Sequence, residues 1–300
     1  MKILITGATG LIGTQLTEYC HEEGIEVNYL TTSREKIENR PNYKGFYWNP
    51  VENEIDTNAF TDVIAIINLV GATISKRWTK SYKKTILESR TQTANLLFET
   101  LKSINHSVSH FISASGVSIY PNHPTKLYTE NSSEVSRDFL GEVVIAWEAA
   151  ADQFETLGIR VAKIRTGVVF AEEEGAFPKI MEPIEKGFGA PLGSGEQWIS
   201  WIHLNDITSI YLHILKNGLD GVYNAVAPNP VTNKNLTFKI AAALNKNIWL
   251  PNVPGWVLKL VLGQMANLVL KGQLVSCKKI EATGYNFMFV NINYAIKKLV

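Results

Sequence analysis

The sequence predicts an α/β protein with a doubly wound parallel sheet and a smaller, mainly helical lobe in its C-terminal part. In the first half of the chain, short apolar runs rich in β-branched residues alternate with longer segments of helical period. Continuously apolar strands separated by helices are typical of a parallel sheet covered on both faces. The 300 residues, 45% of them hydrophobic and 19% charged, supply core for about two domain-sized units and exclude a disordered chain.

The predicted elements follow one another in a strand–helix order. Strands are expected at residues 2–6, 26–31, 63–69, 110–113 and 160–165. Helices are expected between them, at residues 11–22, 80–103 and 139–156. A further strand is expected at residues 221–226, and helical patterns dominate from residue 236 onward.

Glycine and proline content divides the second half of the chain. Residues 171–202 are rich in both and predict a loop region over the carboxyl end of the sheet. We expect residues 1–170 to form the sheet domain, with 203–226 returning to it. Residues 171–202 and 227–300 then form the second lobe, which includes a helical domain at 251–300.

Charge and cysteine content exclude several classes of protein. The 29 Lys and Arg nearly balance the 28 Asp and Glu, so the chain lacks the basic surplus of nucleic-acid-binding proteins. Cys20 and Cys277 belong to no metal-binding pattern, and the six histidines show no ligand spacing. We therefore expect no nucleic-acid partner, no disulfide framework and no metal site.

The apolar segments predict a cytoplasmic protein without a membrane span. Met1 and Lys2 lead directly into an apolar strand, without the regions that make up a signal peptide. The apolar run at residues 63–70 is too short to cross a membrane, and polar residues interrupt the run at 253–270.

A glycine-rich loop follows the first predicted strand. Residues 7–13 read GATGLIG and open the first helix. Gly7 permits the tight turn, Gly10 lets the backbone approach a pyrophosphate, and Gly13 allows the helix to pack closely on the strand. The same spacing also occurs in ordinary strand–helix turns. In this context it predicts a dinucleotide site with contacts from Gly7, Thr9, Gly10, Leu11, Ile12 and Gly13.

The end of the second strand distinguishes NADP from NAD. An NAD site usually has a carboxylate there to hold the ribose 2′-hydroxyl. This chain has Thr31, Thr32, Ser33 and Arg34, with no carboxylate before Glu35. We expect NADP (NADPH) rather than NAD, because a guanidinium forms charge-assisted bonds with a 2′-phosphate. The alternative is a solvated loop with an incidental arginine.

Several motifs together resemble the extended short-chain dehydrogenase/reductase family, which has a Rossmann-type fold. They are the glycine loop, the Ser113-Ala114-Ser115 segment and residues 201–206 (WIHLND). Other segments resemble its atypical "epimerase family" subgroup: residues 68–71 (NLVG), 76–78 (KRW), 89–90 (SR), 147–151 (WEAAA) and 165–169 (RTGVV). Residues 251–300 resemble the small helical domain that ends members of this subgroup. The resemblance covers essentially the whole chain and implies an NADP-binding Rossmann domain at 1–170 and a substrate lobe.

The resemblance also implies cofactor contacts outside the glycine loop. Carried over by position, they fall on Thr31, Thr32, Leu69, Val70, Gly71, Arg90 and the backbone near Val168. Members of the subgroup usually carry Arg where this chain has Thr32. Either Arg34 substitutes for it, or the preference for a 2′-phosphate is weaker than the family implies.

The catalytic dyad of the family is absent from the corresponding helix. A typical member uses Tyr-x-x-x-Lys, which places both side chains on one helix face. By alignment on residues 147–149, the tyrosine position falls on Val143 and the lysine position on Trp147, and neither can transfer a proton. Glu148 is one residue beyond Trp147 and points about 100° away on the helix, so we do not expect it to be the base.

Two hydroxyl groups remain as catalytic candidates. Ser115 stands where the family has its carbonyl-binding serine, at the carboxyl end of a strand. Tyr120 is the nearest phenol that could donate a proton. The alternatives are a capping serine in a turn and a packed loop tyrosine.

Three other features stay open on the sequence alone. Lys76 and Arg77 could hold an anion or form a solvated pair. His203 precedes Asn205 and Asp206 at a predicted helix start, where Asn or Asp commonly caps, so a structural role is expected for His203. Residues 254–262 form an apolar helical segment. That helix either closes the substrate lobe or docks a partner or a membrane surface.

The sequence thus predicts an NADP(H)-dependent oxidoreductase or epimerase-like enzyme that transfers hydride on a small carbonyl or alcohol substrate. The alternative is a non-catalytic NADP(H)-binding regulatory protein, which the loss of the dyad favours. The expected partner is a small-molecule substrate, and a homodimer stays open.

Overall fold

The computed structural model describes residues 1–300 and contains fifteen strands and ten α-helices. The strands are β1 (Lys2–Thr6), β2 (Glu26–Thr31), β3 (Asn39–Arg40), β4 (Tyr43–Asn49), β5 (Glu54–Ile55), β6 (Ala65–Asn68), β7 (His110–Gly116), β8 (Leu127–Tyr128), β9 (Arg160–Thr166), β10 (Val168–Phe170), β11 (Trp198–Ile199), β12 (Trp201–His203), β13 (Gly221–Ala225), β14 (Val231–Thr232) and β15 (Leu274–Val275). The helices are α1 (Leu11–Glu22), α2 (Lys80–Ser103), α3 (Phe139–Asp152), α4 (Phe177–Glu185), α5 (Leu204–Asn217), α6 (Asn233–Ala243), α7 (Gly255–Leu262), α8 (Asn267–Leu270), α9 (Lys278–Ala282) and α10 (Ile292–Leu299). None of the helices combines the length and apolar character needed to cross a membrane.

The main sheet has nine strands in the order β13-β9-β7-β6-β1-β2-β4-β3, with β5 paired to β4. The seven strands from β13 to β4 are parallel, and only β3 and β5 run antiparallel. From β1 the chain first adds β2 and β4 on one side and then β6 to β13 on the other. The order therefore reverses beside β1, and a ligand crevice is expected at the carboxyl ends of β1 and β6. The predicted doubly wound, Rossmann-type fold is confirmed.

Both faces of the sheet are covered. Ile3 and Ile5 of β1 belong to a cluster of 33 buried residues that also contains side chains of α1 and α5. Leu4 points to the other face, into a cluster of 17 residues with side chains of α2 and α3. This alternation explains why the strand is continuously apolar, since each face of a covered parallel sheet needs apolar side chains.

Two segments differ from the sequence prediction. Strand β4 is missing from that prediction because Lys44 and Gly45 interrupt its apolar run; Gly45 is needed there, since a Cβ would lie 2.5 Å from the Tyr29 ring. Residues 171–202 are not all loop, because they contain α4. Proline is tolerated in the first turn of a helix, and the buried Phe177 and Ile184 anchor α4 in a third cluster of 14 buried residues.

Asp206 ties the end of the chain to α5. Its carboxylate accepts hydrogen bonds from the backbone amides of Met288 (2.8 Å) and Phe289 (2.9 Å) and from the Tyr285 hydroxyl (2.9 Å). His203, rather than Asn205 or Asp206, caps α5: its Nδ1 accepts from the Asn205 amide at 3.1 Å. The structural role predicted for His203 is therefore confirmed, and His203 itself is the cap.

Candidate functional site

The glycine loop between β1 and α1 is shaped by contacts that only glycine permits. Gly7 has a φ of +73°, and a Cβ on Gly13 would lie 2.1 Å from the Gly7 carbonyl oxygen. Gly10 is exposed and caps α1 without a side-chain hydrogen bond. The first amide groups of a helix have no acceptor inside the helix, so those of Leu11 and Ile12 are available to an anion.

The end of β2 carries the residues predicted to read the ribose. Thr31 is buried and its hydroxyl accepts from the Ser33 amide at 3.2 Å, whereas Thr32 and Arg34 are exposed. The Arg34 guanidinium lies over the Tyr47 ring of β4, 3.8 Å from its centroid. This stacking holds a cation at the carboxyl end of β2, where a 2′-phosphate would need one.

The carboxyl end of β6 adjoins the glycine loop. Asn68 is fully buried: its Oδ1 accepts from the Thr6 hydroxyl at 2.6 Å, while its Nδ2 has no protein partner. Leu69 and Val70 are half-buried, and a Cβ on Gly7 would lie 3.2 Å from the Val70 nitrogen. The glycine loop and the loop after β6 therefore form one crevice, and the unpaired Asn68 Nδ2 lies buried at the end of β6 beside it.

Arg90 supports this crevice from α2. Its guanidinium donates hydrogen bonds to the carbonyl oxygens of Ile86 (2.9 Å) and Ala72 (3.2 Å). It lies 4.8 Å from the Trp147 ring centroid and forms no salt bridge. Burial lowers its pKa to about 10. A Cβ on Gly71 would lie 2.9 Å from its Cζ, so a larger residue at position 71 would displace the guanidinium. A half-buried cation without a carboxylate partner suits an anionic ligand.

A buried polar network starts at Ser115, the penultimate residue of β7. The Ser115 hydroxyl donates to Glu148 Oε1 at 2.6 Å. Arg165 donates to both Glu148 oxygens at 2.8 Å and to the Tyr120 hydroxyl at 2.8 Å. The Tyr120 hydroxyl in turn donates to Asn224 Oδ1 at 2.8 Å. We refer to Ser115, Glu148, Arg165, Tyr120 and Asn224 as the serine–tyrosine network; all are at most 8% exposed.

The charges of the network fix its protonation. Burial alone would raise the pKa of Glu148, but the hydrogen bonds and positive charge of Arg165, together with the Ser115 hydrogen bond, lower it below its usual range. Burial raises the pKa of Tyr120. At neutral pH the carboxylate is ionised and the phenol neutral. Glu148 therefore holds the hydroxyl proton of Ser115, which leaves the Ser115 oxygen as an acceptor.

The structure brings the predicted catalytic residues into one network but not into contact. Ser115 and Tyr120 are joined through Glu148 and Arg165, two residues that the sequence analysis did not propose for the site. Register explains the link, because Ser115 of β7 pairs directly with Arg165 of β9. A charged residue at the carboxyl end of a strand inside the sheet is the signal that indicates a buried partner here.

Other predicted residues lie outside this network. Val143 and Trp147, at the dyad positions, are 3% and 8% exposed, and the Trp147 Nε1 has no partner. Val168 is half-buried in β10. Lys76 and Arg77 are exposed, and the Lys76 ammonium lies 5.9 Å from the Tyr82 ring centroid.

An open depression of about 570 Å³ adjoins the loop that follows Tyr120. The start of α3 and the C-terminal segment meet at its edge, where Lys271 pairs with Asp138 at 3.1 Å and the Gly272 amide donates to Asn122 Oδ1 at 2.8 Å. Its lining is formed by Pro121, Asn122, Val135, Ser136, Arg137, Asp138 and Lys271. Five of its seven lining residues are polar or charged.

Comparison with known proteins agrees with this architecture. Residues 3–225 match the NAD dependent epimerase/dehydratase family, and residues 253–299 match a domain of unknown function (DUF1731). The chain is 36% identical over 302 residues to an epimerase family protein of Staphylococcus aureus strain MRSA252, covering 100% of this chain and 99% of that protein.

Two solved structures also share the fold over the whole chain. The human epimerase family protein SDR39U1 (isoform 2), solved with NADPH, is 30% identical with a TM-score of 0.84 and covers 100% of this chain and 99% of its own. A nucleoside-diphosphate sugar epimerase from Corynebacterium glutamicum is 29% identical with a TM-score of 0.80, covering 100% of this chain and 58% of its own. By its sequence and by its fold, the chain belongs to the NAD dependent epimerase/dehydratase family, as an epimerase family protein with a C-terminal DUF1731 domain.

Proposed function

We propose that the protein is an NADP(H)-dependent oxidoreductase that transfers hydride to or from a small carbonyl or alcohol substrate. The crevice between β1 and β6 supports the cofactor part, because its glycine contacts and free helix amides suit a pyrophosphate. A human protein of the same family, 30% identical over the whole chain, was solved with NADPH. The residues expected to hold the cofactor are Gly7, Thr9, Gly10, Leu11, Ile12, Gly13, Thr31, Thr32, Ser33, Arg34, Leu69, Val70, Gly71, Arg90 and Val168.

Arg34 supports NADP over NAD. It is exposed at the end of β2, is held against Tyr47 and forms no salt bridge. The hydroxyl groups of Thr32 and Ser33 stand beside it in sequence. This arrangement supplies positive charge and donors for a 2′-phosphate, in place of the carboxylate that holds the 2′-hydroxyl of NAD.

The single observation that carries the catalytic part is the orientation of Ser115. The bound nicotinamide would supply or accept the hydride, and the protein orients the substrate oxygen. Glu148 holds the Ser115 proton, so the Ser115 oxygen accepts a hydrogen bond from the hydroxyl of an alcohol substrate and fixes its position. When hydride leaves that alcohol, its hydroxyl proton passes to water, and in the reverse direction water returns a proton to the reduced carbonyl oxygen. Tyr120 would have to break its bond to Asn224 before donating a proton, so we propose that it mainly positions Arg165.

A specific observation also supports the non-catalytic alternative. Val143 and Trp147 are buried and apolar where the family carries its proton-transferring dyad. A protein that senses the NADP(H) pool would keep the crevice and lose the dyad. The two proposals share the cofactor and differ in turnover.

Titration of protein fluorescence with NADPH and NADH tests the cofactor assignment. We expect Arg34→Ala to weaken NADPH binding about tenfold and leave NADH binding unchanged, because only the 2′-phosphate is lost as a partner. Arg40→Ala is the matched control, since Arg40 also lies over a tyrosine ring, that of Tyr43, but at the amino end of β4, away from the crevice. Equal loss of both cofactors in Arg34→Ala would contradict the NADP assignment.

Turnover distinguishes the enzyme from the regulator. NADPH oxidation is measured with a panel of aldehydes and ketones, and NADP reduction with the corresponding alcohols. We expect Ser115→Ala to lower kcat at least about tenfold while the Kd for NADPH stays unchanged. Tight NADPH binding with no turnover on any member of the panel would favour the regulatory alternative.

A further inference from the structure

Helix α7 turns a large apolar surface outward. None of its residues is buried, and Trp256, Leu260 and Val261 are 70%, 75% and 64% exposed. Single exposed apolar residues are common on protein surfaces, but three large ones on one short helix form a patch. Such a patch indicates an interaction surface.

The exposed residues of α7 share one side of the helix. At 100° per residue, Trp256, Leu260 and Val261 fall within an arc of about 140°, and Lys259 lies about 60° beyond Trp256. The half-buried Val257 lies within the same arc. Leu258 and Leu262 lie on the opposite side and are half-buried. The helix is therefore attached by its leucine side and presents an aromatic and aliphatic face with a lysine at its edge.

The sequence on either side of α7 is strongly basic. Residues 221–280 contain seven lysines and neither Asp nor Glu, and residues 221–300 contain nine lysines and one acid, Glu281. This part of the chain thus has a net charge of +8, which leaves −7 for residues 1–220 in a chain of net charge +1. The near-neutral total charge of the chain conceals a strong asymmetry, and the positive segment, residues 221–300, contains the apolar helix.

The positive charge of residues 221–300 distinguishes between two partners for the exposed face of α7, a second copy of the chain and an anionic membrane. In a symmetric dimer the same patch faces itself, so Lys259 of one copy would approach Lys259 of the other, and residues 221–280 supply no carboxylate to pair with them. A membrane that contains anionic lipids supplies both an apolar phase for the exposed side chains and negative charge for the lysines. Trp and Lys are also the residue types that suit the boundary between headgroups and acyl chains.

We propose that α7 binds the surface of membranes containing anionic lipids, with Trp256, Leu260 and Val261 inserted at the headgroup boundary and Lys259 facing the headgroups. The proposal is independent of the proposed oxidoreductase function, because α7 contributes no residue to the crevice or to the serine–tyrosine network. It requires peripheral attachment of the folded protein and no spanning segment.

Vesicle co-sedimentation of the full chain tests the proposal. Vesicles of phosphatidylcholine with phosphatidylglycerol are compared with vesicles of phosphatidylcholine alone. We expect binding to the anionic vesicles that weakens with added salt, because the lysine contribution is screened. Leu260→Asp should lower the partition coefficient at least about tenfold, because a charge enters the apolar phase.

Matched variants keep the test specific. Val51→Asp is the control for Leu260→Asp, since Val51 is 77% exposed and lies between β4 and β5, about 200 residues before α7 in the sequence. Lys259→Gln should lower the partition coefficient about fivefold, and Lys102→Gln should leave it unchanged. Unchanged thermal melting of each variant shows that it is folded.

Three outcomes would overturn the proposal. The first is no sedimentation with anionic vesicles under low-salt conditions. The second is equal loss of binding in Leu260→Asp and Val51→Asp. The third is a dimer in light scattering that Leu260→Asp converts to a monomer while vesicle binding is absent from both, which would assign the face to a second copy of the chain.

Discussion

Removal of one partner of the buried ion pair should destabilise the protein strongly. Arg165 gives two hydrogen bonds to Glu148 and one to Tyr120, each of 2.8 Å. Arg165→Met keeps most of the side-chain volume but leaves the Glu148 carboxylate, which is 8% exposed, without its counter-charge. Breaking a buried pair in this way costs about 3–5 kcal/mol.

That free energy converts into a measurable shift of the melting temperature. At about 2.1 cal/mol/K per residue, unfolding 300 residues has an entropy of about 0.6 kcal/mol/K, so the midpoint should fall by about 5–8 °C. Circular dichroism melting at pH 7 measures it. The double variant Arg165→Met with Glu148→Leu should recover most of the loss, because an apolar pair replaces an ionic pair nearly neutrally. A shift below about 1 °C, or additive losses in the double variant, would show that Arg165 and Glu148 are not energetically coupled.

Three further predictions concern pH, the C-terminal segment and the glycine loop. The Glu148 pKa is lowered below its ordinary 4.5, so the contribution of Glu148 to folding stability is fully present above that pH and is lost as the pH falls further. Between about pH 5 and pH 3 the melting temperature should therefore drop more in the wild type than in Glu148→Gln. Equal slopes of melting temperature against pH would contradict this. Asp206→Ala should lower the free energy of unfolding, measured by urea denaturation, by about 3 kcal/mol, because three hydrogen-bond donors lose their acceptor. The control Asp220→Ala changes an exposed carboxylate and should alter the free energy of unfolding by less than about 0.5 kcal/mol. Gly13→Ala should weaken NADPH binding at least about tenfold, because the new Cβ would contact the Gly7 oxygen and displace the loop. The control Gly255→Ala should bind NADPH as the wild type does, because its Cβ would meet only ordinary van der Waals contacts.

The sequence predicted those parts of the fold that local pattern determines. Strand β2 has its expected bounds, Glu26–Thr31, and the glycine loop stands between β1 and α1 as expected. Strand β4 escaped prediction because Gly45 is needed for contact with Tyr29, a neighbour on another strand. Its place in the sheet depends on tertiary packing, which a window along the sequence does not contain.

The candidate site was predictable in position but not in its connections. Ser115 could be placed at the carboxyl end of a strand from the motif around it. Its link to Tyr120 depends on the register of β7 against β9 and on the rotation of α3, which turns Glu148 toward the sheet. The bond from Tyr120 to Asn224 joins residues 104 positions apart, and no spacing rule along the chain reaches that far.

The central claim is that the β1–α1 crevice binds NADPH, and calorimetric titration of the wild type and Gly10→Glu tests it most directly. Gly10 is exposed and its Cβ would meet only the Gly7 oxygen at 3.3 Å, so the new carboxylate should leave the fold intact and repel the phosphates. Thr14→Glu adds the same charge one turn further along α1, at another exposed position, and serves as the control. We expect NADPH binding in the wild type and in Thr14→Glu and none in Gly10→Glu. Absence of binding in the wild type, or unchanged binding in Gly10→Glu, would contradict it.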